Sequence, residues 1–332
     1  MKDERNWYEA TNMADIMSAV FTADYMFIRR KTLRRVIRQI QAFDFSFGRK
    51  KTSANEKLNK LVIATLLFFI TYLIIVSNAI NSWDINYVFN DYFPVFNSTD
   101  FHSQIKAFFV FSEWCFYVLY GWGTVAFFIL LYSEIVFSLR DHFDTFCTEL
   151  ENTSKNNVFL SIHYFRQYLR KHDDLCDLVT EVDDVFSSVV ISWFAHLLVA
   201  ICVEVNGFLA GENETVLAVG GSLIITFDLV YAIIAMIIIC ITGGSVYESY
   251  MKSVPVLVKL SHSKSVSFRA LYRDIQLLII KISGHPIYLT AGKCFVISRG
   301  LILTFLSLLL SYILLLAQMN PKAMKYMLEL NN

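Results

Sequence analysis

The sequence predicts an all-α polytopic membrane protein with five transmembrane helices and long cytoplasmic helix extensions. Three observations carry this. The 332-residue chain is 55% hydrophobic with a mean hydropathy of +0.48, too apolar for a typical water-soluble domain of that length. Its charged residues, 17% of the total, cluster between long apolar runs. With 12 Gly and 4 Pro the chain is poor in helix breakers, which suits long helices and not a β-barrel. Net charge is zero, so only its distribution along the chain is informative, and no nucleic-acid partner is expected.

The N-terminal "MKDERNWYEATNM" mixes acids and bases around no apolar core, so it is not a secretory signal. Residues 11–28 are apolar on one face, at Met13, Met17, Phe21 and Ile28, but Asp15 and Asp24 interrupt them; an amphipathic helix is expected. A bilayer core takes about 20 apolar residues as helix. Five stretches meet that length: 61–80 and 300–319 without charge, 107–131 with Glu113, 185–209 with His196 and Glu204, and 216–241 with Asp228. The expected division is a cytoplasmic basic segment over 1–60, a transmembrane unit over 61–320, and a short extracellular tail over 321–332.

Basic residues mark the cytoplasmic side of each loop. Eleven lie between Arg29 and Lys60, and only Lys106 lies in the loop 81–106. Arg140, Lys155, Arg166, Arg170 and Lys171 lie in the next loop, none near 210–215, and seven between Lys252 and Lys293. The alternation predicts a plasma-membrane protein with its N-terminus inside and C-terminus outside. Two glycosylation sequons, at Asn97 and Asn213, both fall in expected outer loops. The cytoplasmic loop 132–184 has apolar residues three and four apart, so its helices should run on below the membrane and pack there.

The six cysteines show neither zinc spacing nor an outer-loop pair, so no disulfide or metal is expected. There is no glycine-rich phosphate loop, no His-Glu-x-x-His and no Ser nucleophile elbow. No cofactor is expected, and nothing points to an enzyme. Gly220–Gly221 and Gly243–Gly244 fit close helix packing.

Ionisable groups inside lipid tend to face a cavity or a partner. Asp228 lies deep in its span, with Phe227 and Tyr231 beside it. Two readings fit: a polar anchor in a ligand pocket that includes Tyr231, or a structural pair with His196 or Tyr120. Glu113, Trp114, Tyr117 and Tyr120 form an aromatic cluster with one acid, which suits a small ligand and equally suits interfacial packing.

The last helix carries a specific pattern. Ser311-Tyr312, five apolar residues and Gln318 resemble the Thr-Tyr-(five hydrophobic)-Gln-Phe signature of insect gustatory receptors, with Ser in place of Thr and Met319 in place of Phe. "GHPIYLTAGKCFVISRGLI" is similar to the segment before the last helix in insect gustatory and olfactory receptors. "VDDVFSSVVISWFAHLLVAICVEVNGFLA" fits the family's middle region. That family has seven membrane helices. The five spans match its third to seventh, with residues 7–28 a remnant of the second, so a short member or a truncated product is expected.

The resemblance implies a ligand-gated non-selective cation channel acting as a gustatory chemoreceptor for a small-molecule tastant. It implies a homo- or hetero-tetramer with related receptors, the last helix lining the pore. Ser311, Leu315 and Gln318 share a helix face that Leu308 extends. By resemblance, Leu315 is the gate and Gln318 the filter, with Leu308 and Ser311 pore-lining. From the sequence alone, Gln318 fits an interhelical hydrogen bond as well. The alternatives are an olfactory-type subunit needing a co-receptor, a secondary transporter, or a non-functional truncated member; no paired inverted repeat supports the transporter.

Overall fold

The computed structural model describes residues 2–46, 52–82, 89, 102–155, 162–209, 220–262 and 269–319. The sequons at Asn97 and Asn213 and the C-terminal tail lie outside them. The described chain is helical apart from one small hairpin. In order come α1 (Lys2–Ile28), α2 (Arg30–Ser46), α3 (Thr52–Ser82) and α4 (Ser103–Tyr117). A π-helical turn (Val118–Trp122) joins α4 to α5 (Gly123–Lys155). Then follow α6 (Ile162–Leu209), α7 (Gly220–Met251), α8 (Ser253–Ser261) and α9 (Arg269–Gly284). The antiparallel strands β1 (Thr290–Ala291) and β2 (Phe295–Val296) precede α10 (Gly300–Met319).

Among the described residues, three helical stretches are long and apolar enough to cross a membrane: Ser103–Asn152, Phe165–Asn206 and Thr226–Ser261. Two shorter apolar stretches, Val62–Asn78 and Gly300–Leu316, coincide with the other predicted spans. The all-helical class holds, with three spans long enough by this measure where five were expected.

The helices outrun any bilayer. At ~1.5 Å per residue, the 48 residues of α6 reach about 72 Å against a hydrocarbon core of roughly 30 Å. Its first half therefore projects beyond the membrane. There Phe143, Phe146 and Leu150 of α5 meet Phe165, Leu175 and Val179 of α6, Tyr250 of α7, and Leu271, Ile275 and Leu278 of α9 in one buried core. Each such side chain contributes about 1.5–3 kcal/mol by leaving water. The extensions are thus a packed helical body, not loose linkers.

The course of α1 departs from the expected cytoplasmic segment. The Trp193 indole donates to Thr22 at 3.1 Å, His196 lies 3.0 Å from Asp15, and Arg35 lies 4.0 Å from Glu181. As the number rises along α1 and α2 it falls along α6, so the two run antiparallel. Residues 13–28 lie beside the apolar half of α6, at the level of the spans. The start of α1 lies toward the end of the bundle where α6 finishes, and only α2 descends beside the extension. The acids hid this helix from hydropathy, whereas in the fold Asp15 is buried against hydrogen-bond donors on other helices.

The hairpin before α10 is pinned to α6. Gly292 and Lys293 both take positive φ, at 61° and 56°, and turn the chain back. Gly292 N–H donates to the Ser187 carbonyl at 2.8 Å, and Lys293 N–H to Ser187 Oγ at 2.9 Å. Asp183 accepts from Thr290 Oγ1 at 2.9 Å and from the Lys293 ammonium. Burial pulls the Lys293 ammonium pKa down, but hydrogen bonds and charge from Asp183 and Asp184 outweigh it and hold it above the usual lysine range.

Gly243 lets α7 meet α5 and the hairpin closely. A Cβ there would sit 2.5 Å from Ile297 Cγ2 and 2.9 Å from the Tyr132 hydroxyl. Gly243→Ala is expected to destabilise by about 1–3 kcal/mol through overpacking. Thermal melting in detergent checks this; an unchanged midpoint would mean that the neighbours yield freely.

Candidate functional site

The polar centre of the bundle is Asp15. It is 3% exposed and sits where α1 meets α4, the π turn and α6. Its Oδ2 accepts from the Trp122 indole at 3.1 Å and from the Tyr117 hydroxyl, and its Oδ1 lies 3.0 Å from His196 Nε2. Three elements thus place a donor on one carboxylate. A carboxylate this deep is costly without such partners.

The π turn has a geometric role. In an unbroken α-helix, eight residues leave Trp122 about 80° around from Trp114. The wider π turn rotates Trp122 back onto the inward face. The local sequence is "YGWG", and the missing side chain at Gly121 brings α1 near: a Cβ there would lie 3.8 Å from Asp15 Cβ.

Around Asp15 is an enclosed space of about 20 Å³, lined by Trp114, Tyr117, Trp122, His196, Glu204, Asp228 and Tyr231. That is room for one water-sized group. Tyr231 stacks on Trp122 with centroids 4.8 Å apart and planes 6° apart, and donates to the Trp122 carbonyl at 3.5 Å. Phe227 and Tyr231 continue the aromatic wall to Phe68 at 5.4 and 5.9 Å. Among the described residues, no Lys or Arg lines the space. Asp228 Oδ1 and His196 Nδ1 are buried without a hydrogen-bond partner among the described residues. The site therefore combines aromatic faces, three carboxyl groups and unused acceptor capacity. It can take up a small donor, most readily a cationic one.

Of the predicted ligand residues, Trp114, Tyr117, Asp228 and Tyr231 converge on this space. Tyr120 instead points outward, 42% exposed and stacked on Phe116 at 5.6 Å, and Glu113 is exposed, away from the wall. His196, one proposed partner of Asp228, pairs with Asp15; the other, Tyr120, lies outside. Asp15, Trp122, His196 and Glu204 complete the site. The signal for His196 and Glu204 was present, as polar residues inside an apolar run.

The last helix has three distinct sides. Ile302, Phe305, Leu309, Tyr312, Ile313 and Leu316 pack against the bundle. The Tyr312 hydroxyl donates to the Cys202 carbonyl at 3.3 Å, and Phe305 stacks on Phe194 at 5.0 Å. Leu308 and Leu315 are 53% and 52% exposed, and Ser311 and Gln318 are exposed as well. Thr304 and Ser307 share that side, so polar groups recur along one uncovered stripe. Leu303, Leu306, Leu310 and Leu314 form the third, wholly apolar, uncovered side.

Helices that extend past the bilayer, a buried polar centre between them and a last helix with one polar uncovered stripe together describe a helical membrane protein. Comparison with known proteins gives the family. The family described as 7tm chemosensory receptor matches residues 8–322, nearly the whole chain, and the chain belongs to that family. The insect olfactory receptor OR5 from Machilis hrabei superposes with a TM-score of 0.70 at 12% identity, over 96% of this chain and 82% of that one. The same receptor in complex with eugenol superposes with a TM-score of 0.60 at 14% identity, over 94% and 82%. At such identities the likeness speaks for the fold. No curated protein sequence matches the chain.

Proposed function

We propose that the chain is a gustatory-type chemoreceptor: a ligand-gated, non-selective cation channel of four subunits, identical or related, with α10 lining the pore. The observation that carries this reading is the uncovered stripe of α10. Thr304, Ser307, Ser311 and Gln318 project away from their own subunit along a helix otherwise almost wholly apolar. The Thr304 and Ser311 hydroxyls donate to carbonyls of their own helix, at 3.5 and 2.9 Å; the exposed Gln318 amide is the group that most needs a cavity, and a central pore between four such stripes supplies one. Leu315 then closes the pore by dewetting, and Gln318 meets partly hydrated cations near its mouth. The extended ends of α5, α6 and α7 lie in the cytoplasm, because the basic loops fall there. On this reading α10 ends outside, and α1, because it runs beside the apolar half of α6, starts outside, where the basic residues alone put the N-terminus inside. Tags at each end of the expressed chain, stained before permeabilisation, check it: both are expected to be reached, and a protected C-terminal tag overturns the orientation.

The tastant's ammonium head, about the size of one water, enters the Asp15 centre. The unused acceptor of Asp228 and the Trp122–Tyr231 stack favour a small protonated amine, whose N–H groups meet carboxylates and whose charge meets aromatic faces. Asp228→Asn is expected to move the amine dose–response at least tenfold to higher concentration, with surface level retained. Currents from the chain expressed alone, under a panel of small amines, are the measurement. Normal surface level with an unshifted curve removes Asp228 from the site.

A second reading is an olfactory-type subunit that opens only beside a co-receptor. The segment His285–Ile302 before and into α10, similar to that of olfactory as well as gustatory receptors, is compatible with it. Ligand-evoked current from the chain alone excludes it; current appearing only on co-expression of an olfactory co-receptor selects it.

A further inference from the structure

α1 and α2 form nearly one continuous helix. Arg29 N–H donates to the Tyr25 carbonyl at 2.9 Å, and Leu33 N–H to the Arg29 carbonyl at 3.0 Å, so the turn pattern carries through the join. Positions three or four apart therefore stay on one side across it. On the upper part of that side the exposed residues are apolar: Met13, Met17, Phe21 and Ile28 are 67%, 66%, 43% and 76% exposed, with Asp24 the one acid among them. Below the join the same side becomes cationic, with Lys31, Arg34, Arg35 and Arg38 all exposed.

The depth of this change can be read against α6. Arg35 lies 4.0 Å from Glu181, and the apolar stretch of α6 begins at Val185. Four residues at ~1.5 Å put Arg35 about 6 Å below that boundary. That is the depth of lipid headgroups.

The opposite side of α2 is fixed. Val36 and Ile40 are 0% and 7% exposed, and Leu33 and Ile37 pack with them on the bundle core. The cationic side is therefore held outward. α2 carries five basic residues and one acid. Among the described residues, Lys31, Arg34 and Arg38 have no carboxylate partner, and Arg35 has only the 4.0 Å contact with Glu181, its own side chain 64% exposed. Together Lys31, Arg34, Arg35 and Arg38 line one open hollow, with Gln39 and Ala42 at its lower edge.

We propose that this side of α2 binds the phosphate headgroups of anionic phospholipids in the adjacent leaflet. An exposed apolar stripe that turns basic at headgroup depth matches a lipid molecule lying along the helix, acyl chains on Met13 to Ile28 and phosphate on Lys31 to Arg38. Guanidinium groups grip phosphate oxygens in pairs, and several cations close together favour anionic over zwitterionic lipid. That this leaflet is the cytoplasmic one rests on the orientation given under Proposed function.

The test uses the full chain purified in detergent with a defined mixture of phosphatidylserine and phosphatidylcholine, the retained lipid being quantified by mass spectrometry. Wild type should be enriched in phosphatidylserine, and raising salt from low to molar concentration should remove the enrichment. The triple variant Arg34→Gln, Arg35→Gln, Arg38→Gln should bind it on the order of 100-fold more weakly. The triple variant to Lys should retain most of it. Equal retention of both lipids by wild type, or equal phosphatidylserine retention by wild type and the Gln variant, overturns the proposal. So does loss of binding in the Lys variant when its melting midpoint equals that of wild type. Displacement of the lipid by millimolar inorganic phosphate would assign the site to a free anion and not to a lipid. If the Gln variant fails to fold, the wild-type lipid preference and its salt dependence still decide. None of these readings depends on which way the chain faces, so they fail or succeed separately from the tag experiment.

Discussion

Leu315→Ala is expected to raise the basal cation current of the expressed receptor about tenfold, equivalent to lowering the barrier to opening by ~1.4 kcal/mol. A ring of leucines excludes water from a narrow pore, and trimming each to a methyl group lets water back in. The packed side of α10 supplies the control. Leu316 lies against the bundle core, so Leu316→Ala should lower stability without raising basal current. Gln318→Glu would place four carboxylates near the mouth of a four-subunit pore and shift bi-ionic reversal potentials toward divalent cations. The measurement is whole-cell current with surface level quantified in parallel. If Leu315→Ala and Gln318→Glu both conduct like wild type, the uncovered stripe of α10 is an interface between subunits and not a pore wall.

The second large effect is at Asp15. Asp15→Ala removes the acceptor for Trp122, Tyr117 and His196 together and leaves three groups facing a dry gap. Each buried donor left unpaired costs about 1–3 kcal/mol. Surface expression should fall to near background. Asp15→Asn keeps the shape and one carbonyl acceptor, so it should recover a substantial part of that expression. Trp193 donating to Thr22 one or two turns away holds α1 in place in both variants. Surface biotinylation of the two variants, side by side with wild type, gives the answer. Equal expression of Asp15→Ala and wild type would show that α1 does not depend on this contact.

Much of the fold could be read from the amino-acid pattern because lipid imposes a simple rule on each helix separately. The apolar runs around 61–80, 107–131, 185–209 and 300–319 each stand out without reference to any neighbour. α1 does not, since Asp15 and Asp24 lower its hydropathy while the donors that meet Asp15 come from residues more than a hundred positions away. The same division runs through the polar centre. Trp114 with Tyr117, and Asp228 with Tyr231, are pairs three residues apart, so one side of a regular helix presents both. Trp122 joins them only through a π turn, and nothing in "YGWG" beyond its glycines announces that change of pitch. Glu113 and Tyr120, four residues before and three after Tyr117, would share its face in a regular helix, yet both are exposed, Tyr120 within the π turn. The motif around Gln318 led to the family because it is a pattern of side chains on one helix, the kind of information a sequence holds locally.

The hairpin at Thr290–Val296 bears on how the last helix can move. Held to α6 through Ser187 and Asp183, it fixes the lower end of α10 in the way a hinge pin fixes a door. Any tilt of the helix then pivots near Gly300, and displacement grows with distance from that point. The 18 residues from Gly300 to Gln318 make an arm of about 27 Å at ~1.5 Å per residue. A tilt of about 5° moves the tip by about 2.4 Å and the base hardly at all. Four arms leaning outward together would widen the mouth several times more than the inner end. Distances between spin labels on different subunits, placed in turn at 303, 310 and 318, should lengthen progressively with ligand. An equal change at all three positions would mean that the helices slide as whole bodies and the pin does not hold.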